Sequence, residues 1–268
     1  HKTEGSPAAS TPATDGERIV SYFGSCGLFC YDTRGKELWR YEMPCNQTAN
    51  DFGSGTSPIL SDGVVHLVRD VMKEPKLFAV DAKTGSLLWE KKREGFPTGW
   101  GSPTIWDTPA GKELIVPGGL RLVAYDPKTG DEKWSIKGMS ALGCTTPVKT
   151  DDGSLVYAAW SPGGNDFKMP TFDDLLKESD KNGDGSLTEV EAKGSFLADF
   201  FSNNDTNKDG KLTRDEWDAQ LKFLKTGQNT AVAVKPGGKG DATGSHVIWK
   251  ATKRLPYVPS PLLYRGQM

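Results

Sequence analysis

The segment AVDAKTGSLLW (residues 79–89) decides the fold, because variants of it recur along the chain. Two close copies are CYDTRGKELW (30–39) and AYDPKTGDEKW (124–134), and a looser copy is GDATGSHVIW (240–249). Each copy contains an Asp, a Gly and then a Trp, which follows the Gly by four residues in the first three copies and by five in the last. The Asp side chain can accept hydrogen bonds from the amides of a turn, and Gly supplies the positive φ. The motif therefore predicts a β-hairpin whose outgoing strand carries a large apolar side chain.

A second marker, Ser or Thr followed by Pro, keeps the same rhythm. It occurs at Pro12, Pro58, Pro103, Pro147 and Pro261, so the spacings are 46, 45, 44 and 114 residues. Removing about 60 residues from the long interval restores a similar spacing. A period of this length with several strands per repeat is typical of propeller blades, and turn signals in the second repeat separate strands at 57–60, 64–69, 76–81 and 87–92. The alternative is an ordinary β-sandwich with coincident Gly and Trp usage.

The repeated Asp-Thr-Gly-Trp pattern resembles the PQQ-like repeat of quinoprotein and BamB-like β-propellers. In that family the Trp-bearing segments lock neighbouring blades together, which implies a structural role for Trp39, Trp89, Trp134 and, in the distorted fourth copy, Trp249. PQQ enzymes of the family resemble one another in a disulfide between adjacent cysteines at the cofactor. The four cysteines here, Cys26, Cys30, Cys45 and Cys144, include no adjacent pair, so PQQ is not expected as a cofactor.

Two twelve-residue segments, DKNGDGSLTEVE (180–191) and DTNKDGKLTRDE (205–216), match the EF-hand calcium loop. Such a loop places oxygen ligands at positions 1, 3, 5, 7, 9 and 12, with the backbone carbonyl serving at position 7. Oxygen ligands with three carboxylates per loop favour calcium over zinc or copper, so we predict two bound Ca²⁺ ions. The predicted ligands are Asp180, Asn182, Asp184, Ser186, Thr188 and Glu191 in the first loop, and Asp205, Asn207, Asp209, Lys211, Thr213 and Glu216 in the second.

Helices are predicted around these loops at 172–179, 189–201 and 214–224. The aromatic residues of the last two segments, among them Phe196, Phe200, Phe201 and Trp217, are interpreted as the small core of the module rather than as a ligand groove. Leu187 and Leu212 occupy position 8, where paired loops of this kind touch. The loops begin only 25 residues apart, which leaves room for about one helix between them, so their pairing stays open.

We therefore predict an all-β fold: about four blades of a partial propeller, with a small helical EF-hand insert. Residues 1–165 would form the first part of the propeller, 166–226 the calcium-loop pair inside blade four, and 227–268 the end of that blade and the start of a fifth. The insert would leave after the strand at 155–160, return before the strand at 230–234, and lie on the face of the blade-to-blade loops. SPLLYRGQM (260–268) repeats the opening of a blade, so an incomplete ring is expected.

Three segments, at 51–57, 96–102 and 256–260, would ring one end of the propeller funnel. Trp100 and Tyr257 in them could stack on a ligand or pack as structural residues. Extending the register of the first hairpin brings Cys26 near Cys45, so either a disulfide or two free thiols can be expected there.

The charge balance, 33 basic against 35 acidic residues, gives no support for a nucleic-acid partner, and no apolar run reaches the length of a membrane span. The first residue is His1, so any export signal lies out of view. The three histidines assemble into no catalytic set. We expect a calcium-stabilised binding or scaffolding module in the periplasm or outside the cell, with a protein or glycan partner at the funnel face. The alternatives are part of a quinoprotein-like dehydrogenase and a cytoplasmic calcium sensor.

Overall fold

The computed structural model of the protein describes residues 8–45, 48, 52–96, 98–162 and 168–267. Four sheets, one for each sequence repeat, make up most of its secondary structure, and antiparallel strands build each of them, with one short parallel strand added at the edge of the third. The first contains β1 (Ala13–Thr14), β2 (Arg18–Phe23), β3 (Gly27–Asp32) and β4 (Glu37–Glu42). The second contains β5 (Ile59–Ser61), β6 (Val64–Arg69), β7 (Lys76–Asp81) and β8 (Leu87–Lys92). The third contains β9 (Thr104–Thr108), β10 (Gly111–Gly118), β11 (Arg121–Tyr125) and β12 (Glu132–Lys137).

The fourth sheet is interrupted in sequence. It contains β13 (Val148–Lys149), β14 (Leu155–Ala159), β17 (Thr230–Val234) and β19 (Val247–Ala251). Between β14 and β17 the chain forms α1 (Phe172–Ser179), β15 (Leu187–Thr188), α2 (Glu189–Ala192), α3 (Phe201–Asn204), β16 (Lys211–Leu212) and α4 (Arg214–Thr226). Two short elements, β18 (Gly240–Asp241) and α5 (Thr243–His246), precede the last strand. The molecule is thus mostly β, a partial β-propeller of four blades, as the repeats predicted.

Burial falls towards the last strand of the second and fourth blades. Every residue of β14 and β17, which pair from Leu155↔Val234 to Ala159↔Thr230, is buried, and their sequences LVYAA and TAVAV are correspondingly apolar. The outermost strands β8 and β19 are largely exposed. Small and β-branched residues fill the inner strands because these strands are covered on both faces, whereas the outer strands carry the Lys and Glu residues that face water.

The repeated Asp and Gly residues make the turns that the sequence predicted. Asp81 Oδ1 accepts the amides of Lys83 (3.0 Å) and Thr84 (2.7 Å), and Asp126 Oδ1 accepts those of Lys128 and Thr129 in the same way. Gly85 adopts φ 75°, which a residue with a side chain would reach only with strain. The carboxylate replaces the missing strand partners of the turn amides, and the glycine lets the chain reverse.

Trp39 and Trp89 of the repeat each pack on the turn of the next blade. The Trp39 indole donates to Ala82 O (2.9 Å), and a Cβ on Gly85 would lie 2.7 Å from its ring. Trp89 meets Gly130 at the same calculated distance, and its indole donates to Pro127 O (3.3 Å), which also accepts from His66 Nε2 (2.9 Å). Burial lowers the pKa of His66, so this imidazole is held neutral between blades two and three. The glycine is therefore required twice, by the turn and by the tryptophan of the preceding blade.

The fourth copy of the motif differs from the sequence prediction. No heavy atom lies within 4 Å of a Cβ placed on Gly244, the expected turn glycine, whereas one placed on Gly238 would lie 2.8 Å from Trp134. The segment around Gly240 pairs in parallel with β12 at Trp134, and the α5 turn follows it. The docking partner of Trp134 has thus moved upstream by six residues, because α5 occupies the place of the simple turn.

The Ser/Thr-Pro marker also has a physical cause. The backbone amide of Thr11 donates to the Ser57 hydroxyl, that of Ser57 to the Ser102 hydroxyl, and that of Thr146 to the Ser260 hydroxyl, each at 2.9 Å. These residues directly precede the repeated prolines, so the hydroxyl of one blade opening accepts from the opening before it. Ser260 thus takes the same hydrogen-bonding position as Ser57 and Ser102, although residues 260–263 form no strand, so the start of a fifth blade there stays a prediction.

Of the two alternatives for Cys26 and Cys45, the structure shows free, exposed thiols, because the amide of Met43, two residues before Cys45, is the group that pairs with the carbonyl of Cys26. The predicted helix at 189–201 stops at Ala192, where Gly194 adopts φ 89° and breaks the helical path. Within the part of the chain that the structure describes, no helix has the length and apolar character needed to cross a membrane.

We expect Trp134→Ala to lower the free energy of unfolding by about 3–5 kcal/mol, because it removes a buried ring from an inter-blade contact. Trp134 is 1% exposed, and its indole donates to Glu113 Oε2 (2.8 Å). The matched control is Trp249→Ala at the equivalent repeat position, which is 44% exposed and should change stability by less than about 0.5 kcal/mol. Urea unfolding followed by circular dichroism measures both; similar losses would contradict the docking role.

Candidate functional site

The first candidate metal loop is preordered by its own backbone. Asp180 accepts the amides of Gly183 (2.7 Å) and Gly185 (3.0 Å), and Gly185 at position 6 adopts φ 78°. Glu191 closes the loop, since its carboxylate accepts the amides of Lys181 (3.3 Å) and Asn182 (3.4 Å) at one end and of Thr188 (3.0 Å) at the other. Hydrogen bonds from Thr188, and then from the Asn182 and Lys181 amides, lower the pKa of Glu191, so it is a carboxylate at neutral pH.

The second loop repeats this arrangement. Asp205 accepts the amides of Asp209 (3.2 Å) and Gly210 (2.9 Å), and Gly210 adopts φ 84°. Glu216 accepts the amides of Thr206 (2.9 Å) and Thr213 (3.0 Å), which joins the two ends of the loop. In each loop the terminal Glu is also the third residue of the following helix, where it forms a capping box with the preceding Thr.

The two loops pair, which answers the question left open by their short spacing. β15 and β16 form an antiparallel pair with Leu187 opposite Leu212, and both side chains are fully buried. They join Phe172, Ala192, Leu197, Phe201, Trp217 and Leu221 in a separate hydrophobic core. Lys211 of the second loop reaches Asp184 of the first at 3.2 Å. The hydroxyl and amide of Ser186, with Lys211, lower the pKa of Asp184 to about 2.

The donors of each loop fit an oxygen-liganded divalent cation. Each offers Asp, Asn and Asp side chains at positions 1, 3 and 5, a carbonyl at 7, a Thr hydroxyl at 9 and a Glu that can bind through two oxygens. Among the described residues, no three His, Cys, Asp or Glu side chains lie close enough together to hold a metal ion by themselves. A cation in either loop would therefore need the amide, hydroxyl and carbonyl oxygens as well as the carboxylates.

A cavity of about 360 Å³ lies between the helical segment and the propeller. The propeller wall includes Phe52, Thr98, Trp100, Leu142 and Tyr257, which come from the connections between blades. The opposite wall includes Phe196, Phe200, Trp217, Gln220 and Phe223. The helical segment therefore sits over the face on which the blade-to-blade connections converge.

The structure brings together the three funnel segments that the sequence singled out. Phe52 and Trp100 are 6.4 Å apart between ring centroids, and the Trp100 indole donates to Gly53 O (3.0 Å). Tyr257 lines the same cavity and packs edge-on against Trp160 at 5.3 Å. Phe196 and Phe200 were expected in the core of the helical module. They line the cavity instead, because the helix ends at Ala192 and the residues after it follow a different path. Leu142 and Phe223 carried no sequence signal.

Comparison with known proteins identifies the family of the repeats. The family model described as outer membrane protein assembly factor BamB matches residues 2–158, more than half of the sequence. This chain belongs to that family of PQQ-like repeat proteins. The match ends within β14, so it covers the first three blades and the start of the fourth, and not the two loops.

Individual relatives cover the chain only in part. The 1-butanol dehydrogenase (quinone) of Thauera butanivorans is 31% identical over 128 residues, covering 40% of this chain and 19% of that enzyme. BamB from Moraxella catarrhalis is 19% identical with a TM-score of 0.44, covering 55% of this chain and 46% of that one. Quinohemoprotein alcohol dehydrogenase from Comamonas testosteroni is 23% identical with a TM-score of 0.40, covering 49% and 21%. The chain thus spans less than half the length of each of these proteins.

Proposed function

We propose that this chain is a calcium-binding propeller module that binds or scaffolds a partner outside the cytoplasm. The observation that carries the proposal is the pair of complete twelve-residue loops, joined through Leu187 and Leu212 and closed by Glu191 and Glu216. The helical segment between β14 and β17 is then an EF-hand pair inserted in blade four. Its two Ca²⁺ ions serve stability, because a segment with so small a core gains folding free energy from any ion that binds only its folded form.

An extracytoplasmic setting, periplasmic or secreted, suits this role. Calcium is abundant there, and the family model that matches the blades is described as an outer membrane protein assembly factor. The partner, a protein or a glycan, would bind at the face where Trp100 and Tyr257 meet the insert. The loops act by holding the insert in its folded form, not by opening a groove as a cytoplasmic sensor does, because Leu187 and Leu212 are buried in its core.

A quinoprotein-like dehydrogenase is the second candidate, and the 31% identity to 1-butanol dehydrogenase (quinone) favours it. The two proposals differ in a direct measurement. A dehydrogenase fragment should bind PQQ saturably and show redox-coupled absorbance with turnover of a primary alcohol. The binding module should show neither when PQQ and calcium are added to the full chain; saturable binding with turnover would overturn our preference.

Calcium stoichiometry should follow the two closing glutamates. We expect isothermal titration calorimetry to show two Ca²⁺ ions per chain, and one in each of Glu191→Gln and Glu216→Gln, because each change removes a bidentate ligand. Matched controls are Glu189→Gln and Asp215→Asn, exposed residues of the same loops outside the ligand positions, which should still bind two. A wild-type chain that takes up no calcium would disprove the proposal.

Removing calcium should loosen the insert and leave the blades intact. We expect EDTA to speed hydrogen exchange in residues 168–226, because the loops then lose the ions that offset their carboxylate repulsion. The strands carrying Trp39, Trp89 and Trp134 should keep their protection, since tryptophan docking holds them without calcium. Exchange measured by mass spectrometry tests this, and an equal loss of protection in the blades would mean that calcium holds the whole fold.

A further inference from the structure

The cavity between the insert and the propeller has an unusual chemical composition. Seven of its lining side chains are aromatic, and they come from both walls. None of the described residues that line it is Asp, Glu, Lys or Arg. A charged ligand would therefore lose its hydration there without gaining a counter-ion, which is costly in an apolar site.

The rings are fixed before any ligand arrives. Trp100 donates its indole N–H to Gly53 O on the propeller side, and Trp217 donates its own to Pro170 O (3.0 Å) on the insert side. Trp217 also packs edge-on with Phe196 at 6.4 Å. With their polar atoms satisfied, Trp100 contributes an apolar face to the cavity, and Trp217, which is 1% exposed, supports Phe196 from behind on the opposite wall. Aromatic faces supplied from opposite walls favour a planar aromatic ring.

One buried ion pair close to the cavity is neutral as a unit. Asp70 lies behind Gly99, where a Cβ would be 3.1 Å from its carboxylate, next to the cavity residues Thr98 and Trp100. Arg93 binds this carboxylate through two nitrogens at 2.7 and 3.0 Å, and the two side chains are 0% and 2% exposed. The pair contributes no net charge to the cavity wall. Thr98 and Gln220 supply polar groups that can orient a ligand.

We propose that this cavity binds a compact, uncharged aromatic molecule, and that calcium in the second loop strengthens the binding. A volume of about 360 Å³ is at the lower end of the range of small-molecule sites, so the ligand is compact. The proposal names the ligand class of the binding module described above, and only its calcium dependence rests on that function.

The calcium dependence follows from chain connectivity. Asn204, which lines the cavity, directly precedes the first residue of the second loop, Asp205. Trp217, which also lines it, directly follows the last ligand, Glu216. The first loop lacks this link, because Ser179 and Ala192 on either side of it do not line the cavity. A cation that draws Glu216 towards Asp205 therefore positions two cavity residues, whereas a cation in the first loop positions none.

Two dyes with the same ring system test the charge selectivity. N-phenyl-1-naphthylamine is uncharged, and 8-anilino-1-naphthalenesulfonate carries one negative charge. We expect the neutral dye to bind the calcium-loaded full chain at one site with at least about tenfold higher affinity, measured by fluorescence titration. Equal or tighter binding of the sulfonate would overturn the proposal, and so would the absence of saturable binding of the neutral dye.

Variants locate the site. Trp100→Ala should weaken binding of the neutral dye by about tenfold through the loss of one stacking surface, whereas Trp249→Ala, outside the cavity, should change it by less than about twofold. Gln220→Lys, at a half-buried position of α4 that lines the cavity, should shift the preference by about tenfold towards the sulfonate, and it tests the cavity without removing a packed ring. An unchanged preference in Gln220→Lys, together with unchanged affinity in Trp100→Ala, would place the dye elsewhere and refute the inference.

The two calcium loops provide the final comparison. Glu216→Gln should lower the affinity for the neutral dye in calcium by about fivefold or more, whereas Glu191→Gln should leave it close to the wild-type value. If both variants act alike, the calcium dependence is refuted. If calorimetry shows no calcium binding but Trp100→Ala still lowers the affinity for the neutral dye, the proposed calcium function fails and the proposed aromatic site stands.

Discussion

The structure depends on one contact: a tryptophan ring laid on the backbone of a glycine in the next blade. Trp39 meets Gly85 and Trp89 meets Gly130 at distances that exclude a Cβ, while the indole N–H binds a carbonyl of the same turn. A single side chain thus buries apolar area, satisfies its own donor and fixes the angle between two sheets. Because each contact involves adjacent blades only, stability is close to a sum over neighbours, as in other repeat proteins.

The remaining contacts reinforce this order. The hydroxyls of Ser57, Ser102 and Ser260 accept amides from the preceding blade opening, at residues where the following proline offers no amide of its own. Because the tryptophan contact fixes one edge of a blade and the serine hydrogen bond fixes the other, a blade can tilt little relative to its neighbour. The blade-to-blade connections consequently converge on one face, and the insert meets aromatic side chains that were placed there by the propeller.

The strands were predictable from sequence wherever local chemistry marked both ends. Turn signals bracket the apolar runs at 64–69, 76–81 and 87–92, and the strands β6, β7 and β8 occupy these residues. The helix predicted at 189–201 failed because a glycine, Gly194, outweighed the aromatic periodicity around it. Gly238 could not be recognised as the partner of Trp134, since its role depends on contact with another blade and not on local turn chemistry. The cavity was predictable only in part: Trp100 and Tyr257 stood in marked segments, whereas Leu142 and Phe223 meet only in three dimensions.

The pairing of Ala159 with Thr230 has a consequence for the history of such a chain. Neighbouring antiparallel strands hold their paired residues about 5 Å apart, so the two ends of the long helical segment are as close together as the ends of an ordinary hairpin connection. The entropy of closing a loop grows slowly with its length, so lengthening this connection costs the sheet little. A segment with its own core can be gained, lost or exchanged at this hairpin while the β-strands keep their register. The connection between β14 and β17 can thus carry segments with different binding properties while the propeller strands stay the same.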